Sequence, residues 1–259
     1  MSTTSTVKHP GVEGKAVKLE WLDTIAVVSM EDRATKNRFS EALIDGLRHV
    51  FHEIERQPLA RVVVVHGYDQ YFCCGGTEAE LLLLASGKVQ FTAFAFYDQL
   101  LKCNLPVIAA MQGHAIGGGL VFGAYADLMV LAEECLYSAN FMEYGFTPGL
   151  GATCIIPKKF GLTLGWEMLF TARNYHGGEL RERGAPVRVA PRGDVLRLSM
   201  ELARDLAGKP VEALKELKRC FAESLQADLQ TAVQKELRMH QVTFLRPEVQ
   251  ERIAARYGR

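Results

Sequence analysis

The sequence predicts an α/β fold: a mostly parallel sheet covered on both faces, followed by a purely helical C-terminal region. Three observations carry this reading. Short apolar runs rich in β-branched residues alternate with stretches of helical periodicity. Glycine-rich turns separate the two kinds of segment at Gly75-Gly76 and at Gly117-Gly118-Gly119. From about Val195 onward only helical spacing remains.

Val17 to Trp21 and Ile25 to Met30 flank Leu22-Asp23-Thr24 and read as a hairpin. Ser40 can cap a helix that carries Leu43, Ile44, Leu47, Val50, Phe51 and Ile54 on one face. The valines Val62 to Val65 form the next strand, and Glu78 to Ser86 the next helical segment, which Gly87-Lys88 breaks. A second helical stretch is expected from Phe91 to Cys103. Pro106 to Met111 then reads as a buried strand, followed by the triple-glycine turn with its helix and a strand at Leu128 to Ala132. Pro210 and Pro247 sit where helices would start. The expected division is a flexible tail over residues 1–15, an α/β core over 16–194 and a helical region over 195–259.

At 259 residues and 48% hydrophobic content, the chain can bury a substantial core. Lys+Arg and Asp+Glu balance at 30 each, so no overall field attracts nucleic acid or a membrane surface. No apolar run reaches transmembrane length. The first residues lack the apolar core of a secretory signal and the arginines of a transit peptide, so a cytoplasmic location is expected. The six cysteines show no zinc-type spacing, and most have apolar neighbours that favour reduced, buried thiols. Cys73 and Cys74 lie beside a glycine turn, where a nucleophilic thiol is the competing reading; the spacing to His66 and Glu78 matches no thiol–base motif.

The two glycine turns carry the chemistry. Glycine lets main-chain N–H groups approach a ligand closely, and at a helix start those groups lack intrahelical partners. Two such turns, each following a strand, suggest two donors converging on one carbonyl oxygen.

Phe72-Cys73-Cys74-Gly75-Gly76, Gly113 to Gly119 and Tyr144 to Gly151, in this order and spacing, resemble the crotonase (enoyl-CoA hydratase/isomerase) superfamily from about Val17 to Tyr257. The resemblance implies a crotonase-like ββα superhelix with mostly parallel sheets, a C-terminal trimerisation region, and an oxyanion hole formed by the N–H groups of Gly76 and Gly118. It also implies acyl thioester substrates on CoA or a carrier protein. Hydratases of that family carry two catalytic glutamates, at positions that are Val121 and Phe141 here. Neither residue can activate water or protonate carbon, so plain hydration is not expected; Glu143 is the nearest substitute, with a surface or structural role as the alternative. The replacements imply a drier pocket, without acidic groups to repel an anionic acyl chain.

Gly118 to Gly123, Asn140 to Gly149 and Met239 to Phe244 are similar to one branch, the decarboxylases that act second among the enoyl-CoA-hydratase-like enzymes of polyketide β-branching cassettes. The resemblance implies decarboxylation of a 3-methylglutaconyl thioester to a 3-methylcrotonyl-type thioester, with acyl carrier protein as partner. No permanently bound cofactor and no metal are implied, because the dienolate formed by CO2 loss delocalises onto the thioester oxygen. Lys88 is assigned to grip the leaving carboxylate and His240 to position it or donate the proton. Solvation and helix packing, respectively, are the structural alternatives for these two residues. His114 belongs to the pocket as support for the turn, and His66 reads as structural. Arg33, Lys36, Asn37 and Arg38 could meet the pantetheine arm or an acidic carrier surface. A homotrimer is implied by the resemblance alone. Two other readings stand beside this one: a dehydratase of the 3-hydroxy-3-methylglutaryl thioester, and a catalytically silent acyl-thioester-binding protein.

Overall fold

The computed structural model describes residues 12–13, 16–89 and 96–257. A seven-stranded sheet is ordered β1-β2-β3-β4-β6-β8-β11, from β1 (Val12–Glu13), β2 (Val17–Leu22), β3 (Ile25–Met30), β4 (Val62–His66), β6 (Val107–Met111), β8 (Leu128–Ala132) and β11 (Arg188–Ala190). The first two pairings are antiparallel and the rest are parallel. Every residue of β3 and β6 is buried, as are the four valines of β4. This is why these strands read as continuous apolar runs rather than as alternating patterns.

A smaller sheet, ordered β10-β9-β7-β5, comes from β5 (Tyr71–Cys73), β7 (His114–Ile116), β9 (Leu136–Ser138) and β10 (Tyr175–His176). Its strands have two or three residues and lie within or beside turns, so sequence periodicity does not show them individually. Successive turns of the chain place a strand in the large sheet, a short strand in the small sheet, and then a helix. In this way β4 and β5 lead to α2 (Glu78–Ala85), and β6 and β7 lead to α4 (Gly118–Ala124). This is the expected ββα coil.

Ser40 caps α1 (Glu41–Arg56), its Oγ accepting from the Leu43 N–H at 3.1 Å, and the six apolar residues expected on one face are all buried. Of the helix expected over Phe91 to Cys103, residues 90–95 lie outside the described residues, and within the described part α3 (Gln99–Lys102) is helical. Three further elements, α5 (Ala152–Phe160), α6 (Leu162–Thr171) and α7 (Gly177–Glu182), precede the C-terminal helices. These are α8 (Arg192–Ala207), α9 (Val211–Thr243) and α10 (Pro247–Tyr257). Helix α8 begins before the expected division at 194/195 and packs on β4, β6 and β8, so it belongs to the core layer. Strand β1 likewise falls inside the expected tail and pairs with β2. No helix among the described residues is long and apolar enough to cross a membrane.

Two buried polar anchors fasten α9 to the core. Lys218 Nζ reaches both Asp127 carboxylate oxygens, at 2.9 and 2.7 Å, and Leu100 O at 3.0 Å. Glu236 accepts from Gly151 N at 2.7 Å, Thr153 N at 2.9 Å and Thr153 Oγ1 at 2.6 Å, at the N-terminus of α5. The helix dipole and three donors favour the Glu236 carboxylate, while burial pushes its pKa up.

Candidate active site

Strands β5 and β7 are parallel neighbours, with Tyr71 opposite His114 and Cys73 opposite Ala115. Their C-terminal ends therefore release the two glycine turns side by side. Gly75 (φ +76°) and Gly117 (φ +56°) adopt the left-handed region that a side chain disfavours. A Cβ on Gly75 would lie 2.7 Å from Ile116 O and 3.2 Å from Gly118 N, and one on Gly119 would lie 2.0 Å from Cys73 O. Main chain touches main chain here, so the second turn and the start of α4 can approach β5 only as glycine.

The peptide groups bearing the expected donors are held from behind. Gly75 O accepts from Phe39 N at 2.8 Å, which fixes the peptide plane that carries the Gly76 N–H. Gly117 O accepts from Leu120 N at 3.1 Å and Val121 N at 3.3 Å, which fixes the plane that carries the Gly118 N–H. Gly117 N donates to Ser138 O at 2.7 Å, tying this turn to β9. Among the described residues, neither the Gly76 nor the Gly118 N–H has a hydrogen-bond partner. Both glycines line one cleft of about 600 Å³, walled by Phe39, Leu81, Leu84, Phe96, Phe141 and Phe146. Apolar walls lower the local dielectric and strengthen any hydrogen bond to charge inside.

The cleft is not stripped of carboxyl groups. Glu80 lines it, its Oε2 accepting from Thr77 N at 2.9 Å and Thr77 Oγ1 at 3.0 Å, while Thr77 Oγ1 accepts from Glu80 N. The pattern that hides this is a capping box: a Thr-x-x-Glu signature explains the glutamate as a helix start and says nothing of the wall it joins. Burial raises the Glu80 pKa above the ordinary carboxylate value, against the Thr77 hydrogen bonds. Cys74 also lines the cleft, but burial pushes its thiol up to about 11 in spite of Arg38 and Lys36. Cys73 is fully buried, its thiol donates to Asn37 O at 2.9 Å, and burial raises its pKa further. Protonated, packed thiols fit the packing reading rather than the nucleophilic one.

The other expected site residues divide. Phe141 lines the cleft, whereas Val121 is wholly buried within α4 and is not among the described lining residues. The geometric reason is that α4 presents its N-terminal glycines to the cleft. His114 stands outside the cleft and its Nδ1 accepts from Leu136 N at 2.9 Å, which braces β7 against β9. His66 accepts from Ser29 Oγ at Nε2 and donates to Gly67 O from Nδ1, a structural role. Glu143 pairs with Arg256 at 2.5 Å. Arg33 and Lys36 are exposed, the former paired with Asp69 at 2.7 Å and the latter above the Tyr71 ring. Asn37 cannot reach a ligand: it is fully buried, and its amide donates to Met30 O and Phe72 O, both at 2.9 Å, while accepting from Asp32 N.

His240 lines a second cavity of about 500 Å³ with Leu84, Gly87, Val89, Leu237, Gln241, Phe244 and Leu245. Leu84 is common to both cavities. The His240 Nε2 lies 3.0 Å from both Thr147 O and Pro148 O, so this nitrogen carries the proton and donates to the loop leading into the cleft wall. Burial lowers the His240 pKa even though both carbonyls favour the cation. Lys88 is exposed and lines neither cavity, although its neighbours Gly87 and Val89 line the one that holds His240.

The model of the enoyl-CoA hydratase/isomerase family matches residues 20–257. The chain belongs to this family. Among curated relatives, the bacillaene synthase decarboxylase PksI of Bacillus subtilis is 46% identical over 240 residues, covering 93% of this chain and 96% of that protein. A structure from a study of the structure and mechanism of a dehydratase/decarboxylase enzyme couple involved in polyketide β-branching superposes with a TM-score of 0.92. It is 45% identical and covers 95% of this chain and 100% of its own. The ECH2 decarboxylase domain of CurF from Lyngbya majuscula reaches a TM-score of 0.88 at 38% identity, covering 93% of this chain and 99% of that one. Within the family, the present chain thus stands beside decarboxylases.

Proposed function

We propose that this protein is a decarboxylase of polyketide β-branching, acting on a 3-methylglutaconyl-type thioester borne by an acyl carrier protein. The observation that carries the reading is the pair of rear-braced amides of Gly76 and Gly118, unpartnered among the described residues, on one apolar cleft. The likeness to PksI and to the CurF domain supports it. Loss of CO2 from the γ-carbon leaves an electron pair conjugated through the alkene to the thioester, so negative charge develops on the carbonyl oxygen. Two preorganised amides stabilise that charge more than the neutral carbonyl, each by about 3–4 kcal/mol. Valine and phenylalanine at 121 and 141 leave no pair of carboxyl groups for hydration, which weighs against a dehydratase.

Within this reading His240 orients the leaving carboxylate or supplies the returning proton. With Nε2 committed to Thr147 and Pro148, proton donation into the second cavity requires the imidazolium, protonated at Nδ1 as well. The Lys88 assignment rests on the resemblance, since its side chain is exposed. Arg33 and Lys36 offer exposed positive charge to an acidic carrier surface, and a homotrimer is proposed from the family resemblance. The test is incubation with 3-methylglutaconyl-carrier protein and intact-mass spectrometry. Loss of the mass of CO2 is expected, whereas survival of the substrate with folded enzyme rejects the function. His240→Ala should lower kcat by about 10²-fold with little change in KM.

A further inference from the structure

The C-terminal helix closes on the glycine turn. Tyr257, the last residue of α10, lines the cleft and donates from its hydroxyl to Gly76 O at 2.6 Å. The other side of that same peptide group is held too, because Thr77 N donates to Glu80 Oε2 at 2.9 Å. The preceding peptide is held by Phe39 N on Gly75 O. Gly76 is thus pinned through both of its flanking peptide planes, by the neighbouring Glu80 and by two residues distant in sequence, Phe39 and Tyr257. Without a Cβ, Gly76 has little else to define its backbone angles.

Tyr257 is itself fixed. The Arg38 guanidinium lies over its ring at 4.8 Å, and the Tyr144 ring sits 6.2 Å away. Helix α10 is anchored along its length, by Arg256 to Glu143 and by Gln250 Nε2 to Ala85 O at 3.4 Å. Val249 and Ile253 are fully buried beneath it. The hydroxyl therefore arrives at Gly76 on a rigid support.

We infer that Tyr257 is a positioning residue for the oxyanion hole: its hydroxyl holds Gly76 so that the N–H meets the thioester oxygen, and the terminal helix thereby controls the donor. The inference rests on the reading that the Gly76 and Gly118 amides receive that oxygen. Tyr257→Phe removes only the hydroxyl and keeps the ring between Arg38 and Tyr144, so folding should persist; Tyr257→Ala removes the support as well.

The experiment has two readouts on the full chain. The first is the infrared carbonyl stretch of a bound, unreactive acyl-CoA thioester (isotope-edited at C1), which reports polarisation by the two amides. The second is steady-state decarboxylation with kcat and KM resolved. Wild type should red-shift the stretch, and Tyr257→Phe should lose a substantial part of that shift. The same variant should lower kcat about five- to tenfold at nearly constant KM and thermal midpoint. An unchanged shift in Tyr257→Phe beside a shifted wild type overturns the role of Tyr257 and leaves the two-amide reading standing. Absence of a shift in wild type overturns both. A Tyr257→Phe variant that loses thermal stability, and a loss of kcat with no loss of shift, each assign Tyr257 to packing and overturn the inference.

Discussion

Substituting Gly119 with alanine tests the placement of the Gly118 donor without touching a lining side chain. The new Cβ would lie 2.0 Å from Cys73 O, 2.5 Å from Cys73 C and 3.0 Å from Cys73 Cβ. Contacts below 3.0 Å are not sustained, so α4 and β5 must separate locally by at least about 1 Å. The adjacent residue is Gly118, and its N–H moves with the start of the helix. A misplacement of about 1 Å at a reacting centre costs about 10²-fold in rate. Overpacking of this kind costs about 1–3 kcal/mol of stability. The expected result is therefore a folded Gly119→Ala protein with a lowered thermal midpoint and turnover down about 10²-fold in the carrier-protein mass assay. Gly193→Ala is the control, since a Cβ there meets nothing within 4 Å. Wild-type turnover in Gly119→Ala would refute the claim that this approach of main chain to main chain sets the donor.

Four further outcomes are expected. Glu236→Ala leaves Gly151 N, Thr153 N and Thr153 Oγ1 without their acceptor and should cost about 3 kcal/mol or more, whereas Glu236→Gln should cost less, both read by chemical denaturation. His240, His66 and His114 all have lowered pKa values, so the unfolded chain binds more protons below about pH 6.5. Their stabilising contribution is full above that value and is lost as pH falls toward the folded pKa values; His240→Gln should flatten the fall in thermal midpoint. Cys74→Ser should keep turnover close to wild type, and iodoacetamide at neutral pH should label exposed Cys220 before Cys74, by peptide mass mapping. Lys88→Ala should worsen both KM and kcat under the carboxylate-gripping assignment, and unchanged values for both remove Lys88 from the mechanism.

The large sheet was readable because its central strands are apolar on both faces and long enough to show it, as Val62 to Val65 and Val107 to Met111 do. The small sheet was not readable, because a strand such as His114–Ile116 is too short to display a period of two. The glycines were legible as places of close approach, and the geometry at Gly75, Gly117 and Gly119 explains each one. Side-chain roles were harder to assign. Asn37 looked like part of a basic loop yet spends its amide on the buried carbonyls of Met30 in β3 and Phe72 in β5, a contact that only the folded chain brings together. Glu80 was not singled out; it closes the capping box of α2 and is also a wall, since α2 begins right after the glycine turn. Tyr257 gave no signal at all: its contact spans 181 positions in sequence, and only the folded chain brings its hydroxyl to Gly76.

The oxygen-binding element proposed for this protein is made of peptide nitrogens, atoms that every residue other than proline supplies. Swapping Phe141, Leu84 or Phe96 would recolour the chamber without removing a single donor. A lineage built on such a frame can change which bond breaks by editing the walls, and the anion-holding hardware needs no reinvention.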